Sequence, residues 1–176
     1  MTGSLPPLTL VIGGARSGKS AFAEGLVTGS GRARRYIATA NAWDDEMRAR
    51  IAQHRRDRGE AWLTVEAPLD VPAALAVASP DEVVLVDCAT LWLTNHLLAE
   101  HDLVAEGDAL IKALGLSNAP VVIVSNEVGG GIVPENALAR RFRDEQGRLN
   151  QRLAAKAALV VTVIAGLPLV LKGQLP

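Results

Sequence analysis

The residues best suited to chemistry stand near the start of the chain, as Gly13-Gly14-Ala15-Arg16-Ser17-Gly18-Lys19-Ser20. They match the pattern G-x-x-x-x-G-K-[ST]. Glycine lets the backbone turn tightly, so that successive N–H groups converge on one concavity and hold phosphate oxygens. In such a loop Lys19 reaches the outer phosphates and the Ser20 hydroxyl ligates Mg²⁺. A helix starting here adds the positive end of its dipole. A surface turn could carry the same eight residues by chance, so the flanks decide. Leu8-Thr9-Leu10-Val11-Ile12 is an apolar, β-branched run that reads as a buried strand, and 21–27 follows with helical spacing. Strand, loop and helix stand in the order that phosphate binding requires.

Asp87 is the second candidate. Val83-Val84-Leu85-Val86 is a continuous apolar run that ends in this acid, at the carboxyl end of a strand where open α/β sheets bind ligands. Its carboxylate would hold Mg²⁺ or organise Ser20. The plainer reading is an acid that caps the following helix. The third candidate is 44–58, DDEMRARIAQHRRDR. On a helix capped by Asp44, Met47, Ile51 and His54 share one side, and Arg50, His54 and Arg58 form a second line. His54 reads either as a half-buried residue at the edge of an apolar stripe or as an imidazole among guanidinium groups, a setting that binds phosphates. Neighbouring positive charge would also favour its neutral, nucleophilic form. His96 and His101 have no acid at metal-ligand spacing and read as surface or core filler.

The elements that must position these residues follow one another as apolar strands and amphipathic helices. Strands are expected at 34–39, 83–87 and 121–124, with helices at 71–78, 90–100, 103–114 and 135–158. Residues 62–66 alternate only weakly, and 128–134 is too glycine-rich for a regular element. Two strands at 159–164 and 169–171 close the chain around Ala165-Gly166, a hairpin signal. Apolar strands alternating with helices predict an α/β fold, with a mostly parallel sheet covered on both faces.

A chain of 176 residues, 49% hydrophobic and 21% charged, is expected to form one domain over 1–176, with 1–7 as a frayed tail. A net charge of −1 gives no basic field for nucleic acid or an anionic membrane. The arginines of 135–158 alternate with acids and read as a solvated or subunit-contacting face. Cys88 is the one cysteine, so neither an internal disulfide nor a Cys/His metal cluster is available. No apolar run reaches membrane-spanning length, and MTGSLPP lacks the basic and apolar parts of a signal peptide. A cytoplasmic protein is the expectation.

Seven blocks carry a family resemblance: GGARSGKS, YIATA, DDEMRARIAQHRRDR, WLTVE, VLVDC, SNEVGGGIVPE and RRFRDEQGRLNQRLAAKA. In this order they resemble the bifunctional adenosylcobinamide kinase/adenosylcobinamide-phosphate guanylyltransferases of cobalamin synthesis. The resemblance implies a RecA-like P-loop NTPase fold, often assembled as a homotrimer, and two reactions. Adenosylcobinamide is phosphorylated with ATP or GTP, and GMP then passes from GTP to an enzyme histidine and on to that phosphate. By position in the motif the histidine is His54. Some members carry two adjacent histidines where this chain has Gln53-His54, which leaves one nucleophile. Lys19 and His54 are thus the implied catalytic residues. Ala38, Thr39, Ala40, Arg55, Arg56, Asp57, Arg58, Glu66 and Asp87 join Gly13–Ser20 as the implied nucleotide contacts. Mg²⁺ would lie on Ser20 and Asp87. An aromatic content of 3% offers no obvious platform for a corrin ring. A kinase of another small alcohol would leave His54 and its arginines unassigned, and a nucleotide-gated binding protein would never turn over.

Overall fold

The computed structural model describes residues 4–41 and 61–176. The helix expected over 44–58 lies outside them. Among the described residues seven strands make one sheet: β1 Leu8–Gly13, β2 Ala33–Ala38, β3 Trp62–Glu66, β4 Glu82–Asp87, β5 Val121–Asn126, β6 Leu159–Ile164 and β7 Leu167–Lys172. Their order is β3-β2-β4-β5-β1-β6-β7. Every pairing is parallel except the last, between β6 and β7.

The continuous apolar runs exist because the central strands are buried on both faces. In β4, Val84 and Val86 enter the core on one face while Val83 and Leu85 enter the core on the other. Each fully buried valine or leucine contributes about 1.5–3 kcal/mol, so the central strands hold most of the fold's driving force. Helix α1 (Lys19–Gly29) packs Ala23 and Val27 on one face. Among the described residues four helices pack on the other: α2 Val71–Ala76, α3 Ala89–Leu98, α4 Leu103–Leu116 and α5 Ala137–Lys156. The weak alternation of 62–66 has a reason. It forms β3, an edge strand that is only half buried.

Side-chain caps set where the helices begin. Asp70, Asp102 and Asn136 each accept a backbone N–H from the first turn. Asn136 takes the N–H groups of Leu138 and Ala139, so α5 starts two residues later than the charge pattern implied. At the hairpin, Ala165 (φ 52) and Gly166 (φ 79) both adopt the left-handed conformation that a two-residue turn needs between right-twisted strands. The tail expected over 1–7 already joins the fold at Leu5. Leu5 is buried against the α1 face, and the Pro7 carbonyl accepts the Val121 N–H at 3.0 Å. Burying one leucine and pairing one carbonyl is enough to fix so short a segment.

Candidate active site

β1 delivers the chain to Gly13, and α1 begins again at Lys19, so the whole phosphate loop lies between a central strand and a helix N-terminus. Gly13 has no room for a side chain. A Cβ there would stand 2.6 Å from both Ser17 Oγ and the Val163 carbonyl. Gly18 caps α1 with φ 92 and no side-chain cap, which leaves the first N–H groups of the helix turned toward the loop concavity. The Ser17 N–H donates to the Gly14 carbonyl at 3.3 Å, and Lys19 Nζ donates to the same oxygen at 3.1 Å. Two outside segments brace the loop. Glu127 donates its N–H to the Gly13 carbonyl at 3.0 Å, and Gly166 donates to the Ser17 carbonyl at 2.8 Å. Gly14, Ala15 and Arg16 stay exposed. Ser17 Oγ is buried with no hydrogen-bond partner among the described residues.

Asp87 ends β4, two strands from β1, with β5 between them. The Tyr36 hydroxyl donates to its Oδ2 at 2.9 Å. The residue that caps α3 is Cys88, whose Sγ accepts the Leu91 N–H at 3.5 Å, so the helix-cap reading of Asp87 does not hold. Burial first, and then the negative charge of Asp87, push the Cys88 thiol up to about 11. Both effects disfavour the thiolate, the form a nucleophilic cysteine needs. The Asp87–Cys88 peptide bond is cis.

In the sheet register Ala38 lies level with both Glu66 and Asp87. The ends of β2, β3 and β4 therefore share one edge with the loop after β1, where open α/β sheets take ligands. Ala38 and Ala40 are half buried at this edge and Glu66 is exposed. Thr39 carries a structural contact that the sequence did not announce. Its side chain is fully buried, where Oγ1 accepts the Cys88 N–H at 2.7 Å and donates to the Cys88 carbonyl at 2.8 Å. Through its side chain it latches the Asp87–Cys88 turn. His54, Arg55, Arg56, Asp57 and Arg58 lie outside the described residues.

Sequence reasoning assigned no role to the end of β5. Asn126 lies level with Gly13, and its Oδ1 is buried without a partner among the described residues. Its N–H donates to Thr90 Oγ1 at 2.8 Å, tying the β5 end to α3. Behind it, Asn150 Nδ2 donates to the Asn126 carbonyl at 3.0 Å. Ser125 Oγ donates to Asn150 Oδ1 at 2.6 Å, and Gln146 Nε2 donates to Ser125 Oγ at 2.9 Å. The signal was present as three polar residues, Ser125-Asn126-Glu127, closing an apolar strand. A buried amide oxygen without a partner at the end of the strand beside the loop calls for a hydrogen-bond donor or a cation.

A family model described as cobinamide kinase / cobinamide phosphate guanyltransferase matches residues 9–171. The chain belongs to this family. Among cobinamide kinase/guanyltransferase relatives, the bifunctional adenosylcobalamin biosynthesis protein CobP of Pseudomonas aeruginosa is 48% identical, over 94% of this chain and 97% of that protein. The bifunctional adenosylcobalamin biosynthesis protein CobU of Escherichia coli is 45% identical, over 94% and 99%. Two solved structures share the fold at low identity. One is the RadB recombinase, with TM-score 0.55 and 19% identity over 91% of this chain and 76% of that one. The other is the flagellar accessory protein FlaH of Methanocaldococcus jannaschii, with TM-score 0.55 and 12% identity over 98% and 81%. The family's fold in this chain is thus RecA-like: a mostly parallel sheet with helices on both faces and an antiparallel strand pair after β6. Among the described residues no helix is long and apolar enough to cross a membrane.

Proposed function

We propose that this chain phosphorylates adenosylcobinamide with ATP or GTP and then converts the product to adenosylcobinamide-GDP through a guanylyl-His54 intermediate. The observation that carries the reading is a fully built phosphate loop in a chain whose family match spans residues 9–171. In the first step the alcohol oxygen of adenosylcobinamide attacks the γ-phosphorus. The bond from that phosphorus to the bridging oxygen breaks, and the alcohol proton leaves to solvent. The N–H groups at the start of α1 and Lys19 hold the phosphates in line, which is most of what phosphoryl transfer asks of a protein.

In the second step an imidazole nitrogen of His54 attacks the α-phosphorus of GTP and pyrophosphate leaves. A phosphate oxygen of the first product then attacks the same phosphorus, and the N–P bond breaks. Arg55, Arg56 and Arg58 are suited to neutralise the phosphates that approach His54. Ala38, Ala40 and Glu66 complete the nucleotide contacts.

Mg²⁺ requires hard oxygen donors. Asp87 at the edge, the Ser20 hydroxyl and the unpartnered Ser17 Oγ are of that kind, and Asp87 with Ser20 would hold the ion. When bound it neutralises charge on the phosphate oxygens. The hairpin leaves Ile164 at the end of β6 and Leu167, Leu169 and Leu171 on the edge strand β7 exposed, a surface that favours burial by further copies. The patch supports self-association; a homotrimer in the cytoplasm is the reading that the family resemblance carries, and a protomer mass in sedimentation velocity would exclude the trimer.

The decisive experiment incubates the chain with GTP labelled in the α-phosphate and no acceptor. The wild type should retain label in an acid-labile, alkali-stable adduct on the peptide containing Gln53-His54-Arg55. His54→Asn should retain none and still phosphorylate adenosylcobinamide. Label persisting in that variant, or mapping to His96 or His101, would refute the assignment.

A further inference from the structure

The α3–α4 junction gathers three side chains that the proposed reactions do not use. Helix α3 ends in a double turn in which Glu100 donates its N–H to the Leu97 carbonyl at 3.2 Å and His101 donates to the His96 carbonyl at 3.0 Å. Glu100 stands between them at φ 57, in the left-handed position usually given to glycine. This ending folds the residue after the turn back over the residue five earlier, and the pair that meets is commonly apolar. Here it is two imidazoles. Their Nδ1 atoms are 2.9 Å apart.

Asp102 then caps α4, which carries Glu106 to the same place. Its Oε2 is 3.9 Å from His96 Nδ1. Ligand atoms of all three residues lie within 4.8 Å of one another. The sequence reading found no acid at ligand spacing to these histidines. The acid was concealed because the three positions fall on no common helix face and meet only through a helix end.

The buried partner is already oriented. His96 is 3% exposed, and its Nε2 lies 3.2 Å from the Leu69 carbonyl. A carbonyl can only accept, so Nε2 carries the hydrogen and Nδ1 keeps its lone pair. The Trp92 ring, 4.5 Å from the imidazole between centroids, and the Trp92 Nε1–H bond to the same carbonyl at 2.8 Å fix that carbonyl and the imidazole in place. A backbone carbonyl behind a ligating histidine is the usual outer support of a metal site. His101 is exposed, so its proton can shift to Nε2 and its Nδ1 can turn to a ligand.

We infer that His96, His101 and Glu106 form a binding site for a first-row divalent transition metal, with Zn²⁺ the natural occupant. Two imidazoles and a carboxylate are suited to such ions. Tetrahedral bonds of about 2.0–2.2 Å place ligand atoms about 3.3 Å apart, so side chains whose ligand atoms now lie within 4.8 Å of one another would move by up to about 1.5 Å to complete the set. The fourth position opens to solvent beside His101. The site lies at the far end of α3 from Asp87, about 15 Å along the helix, and would clamp the α3–α4 connection without entering the reactions.

The test uses the full chain, untagged and stripped of metal. Equilibrium dialysis against Zn²⁺ should find one equivalent bound by the wild type, and Co²⁺ in its place should give the intense visible bands of a four-coordinate nitrogen–oxygen site. His101→Ala and Glu106→Gln change side chains at or near the surface. His101→Ala should abolish the bands and weaken Zn²⁺ at least about tenfold, and Glu106→Gln should weaken it in the same direction. His54→Asn, which alters the remaining histidine, should keep the bands. Absence of Zn²⁺ binding at micromolar concentration, equal binding by the wild type and His101→Ala, or loss of the bands in His54→Asn alone would each overturn the assignment.

Discussion

Replacing Thr39 by valine separates a latch from a ligand contact. Valine keeps the shape and removes the hydroxyl, which accepts the Cys88 N–H at 2.7 Å and donates to the Cys88 carbonyl at 2.8 Å in a fully buried site. The two losses are unequal. The Cys88 carbonyl still accepts the Trp92 N–H at 3.2 Å, so it forfeits one bond of about 0.5–1.5 kcal/mol. The Cys88 N–H is left buried and unpaired, which costs about 1–3 kcal/mol. Together they predict a loss of about 1.5–4.5 kcal/mol, or about 4–12 °C in Tm for a chain of this size. Thr39→Ser keeps both bonds and loses one buried methyl group, about 1 kcal/mol. Urea unfolding of the three proteins, at equal m, measures these differences. A valine variant within about 1 kcal/mol of wild type, or a serine variant as unstable as the valine one, would refute the latch. A change confined to KM for nucleotide, with stability intact, would return Thr39 to the role of a ligand contact.

Two further outcomes follow from the same edge of the sheet. Asp87→Asn can still accept the Tyr36 hydroxyl, so stability should move by no more than about 1 kcal/mol, while the Mg²⁺ concentration needed for half-maximal phosphorylation rises at least about tenfold. An unchanged Mg²⁺ titration would remove Asp87 from the metal. Cys88 is 6% exposed beneath the Asp87 turn, so a thiol reagent should modify it only as fast as the fold opens, with a rate that rises steeply in urea; fast modification of the native chain would mean that the turn is open.

Much of this fold could be read in the sequence because its strands are buried on both faces. Runs such as Val83–Val86 and Val121–Val124 leave little choice of structure, and a hairpin with Ala165-Gly166 at its tip announces its own turn. Strand order was not legible. Nothing local in β1 says that β5 and β6 become its neighbours, because that choice belongs to long-range packing. The edge strand β3 was faint because its residues are half exposed and its alternation is diluted. At the site, the phosphate loop was visible since one contiguous segment does all its work. The latch at Thr39 was not legible because a small hydroxyl at a strand end can serve a ligand or a buried backbone, and the position of Cys88 is set by long-range packing. Asn126 and the Ser125–Gln146–Asn150 network join β5 to α5, a pairing that no spacing encodes. His96, His101 and Glu106 met across a helix end, where periodicity carries no information.

The brace from Gly166 to the Ser17 carbonyl, and the close approach at Gly18, where a Cβ would stand 3.1 Å from the Gly166 Cα, bear on how the chain matures during synthesis. The segment bearing the lysine leaves the ribosome early, but the strands on both sides of it and the turn behind it are translated long afterwards. A nascent chain therefore carries the motif for most of its synthesis without the hydrogen bond that Gly166 gives the Ser17 carbonyl. That contact forms late, when the turn at 165–166 emerges and closes against the loop. A product terminated before that turn would keep the full signature GGARSGKS and lack this brace.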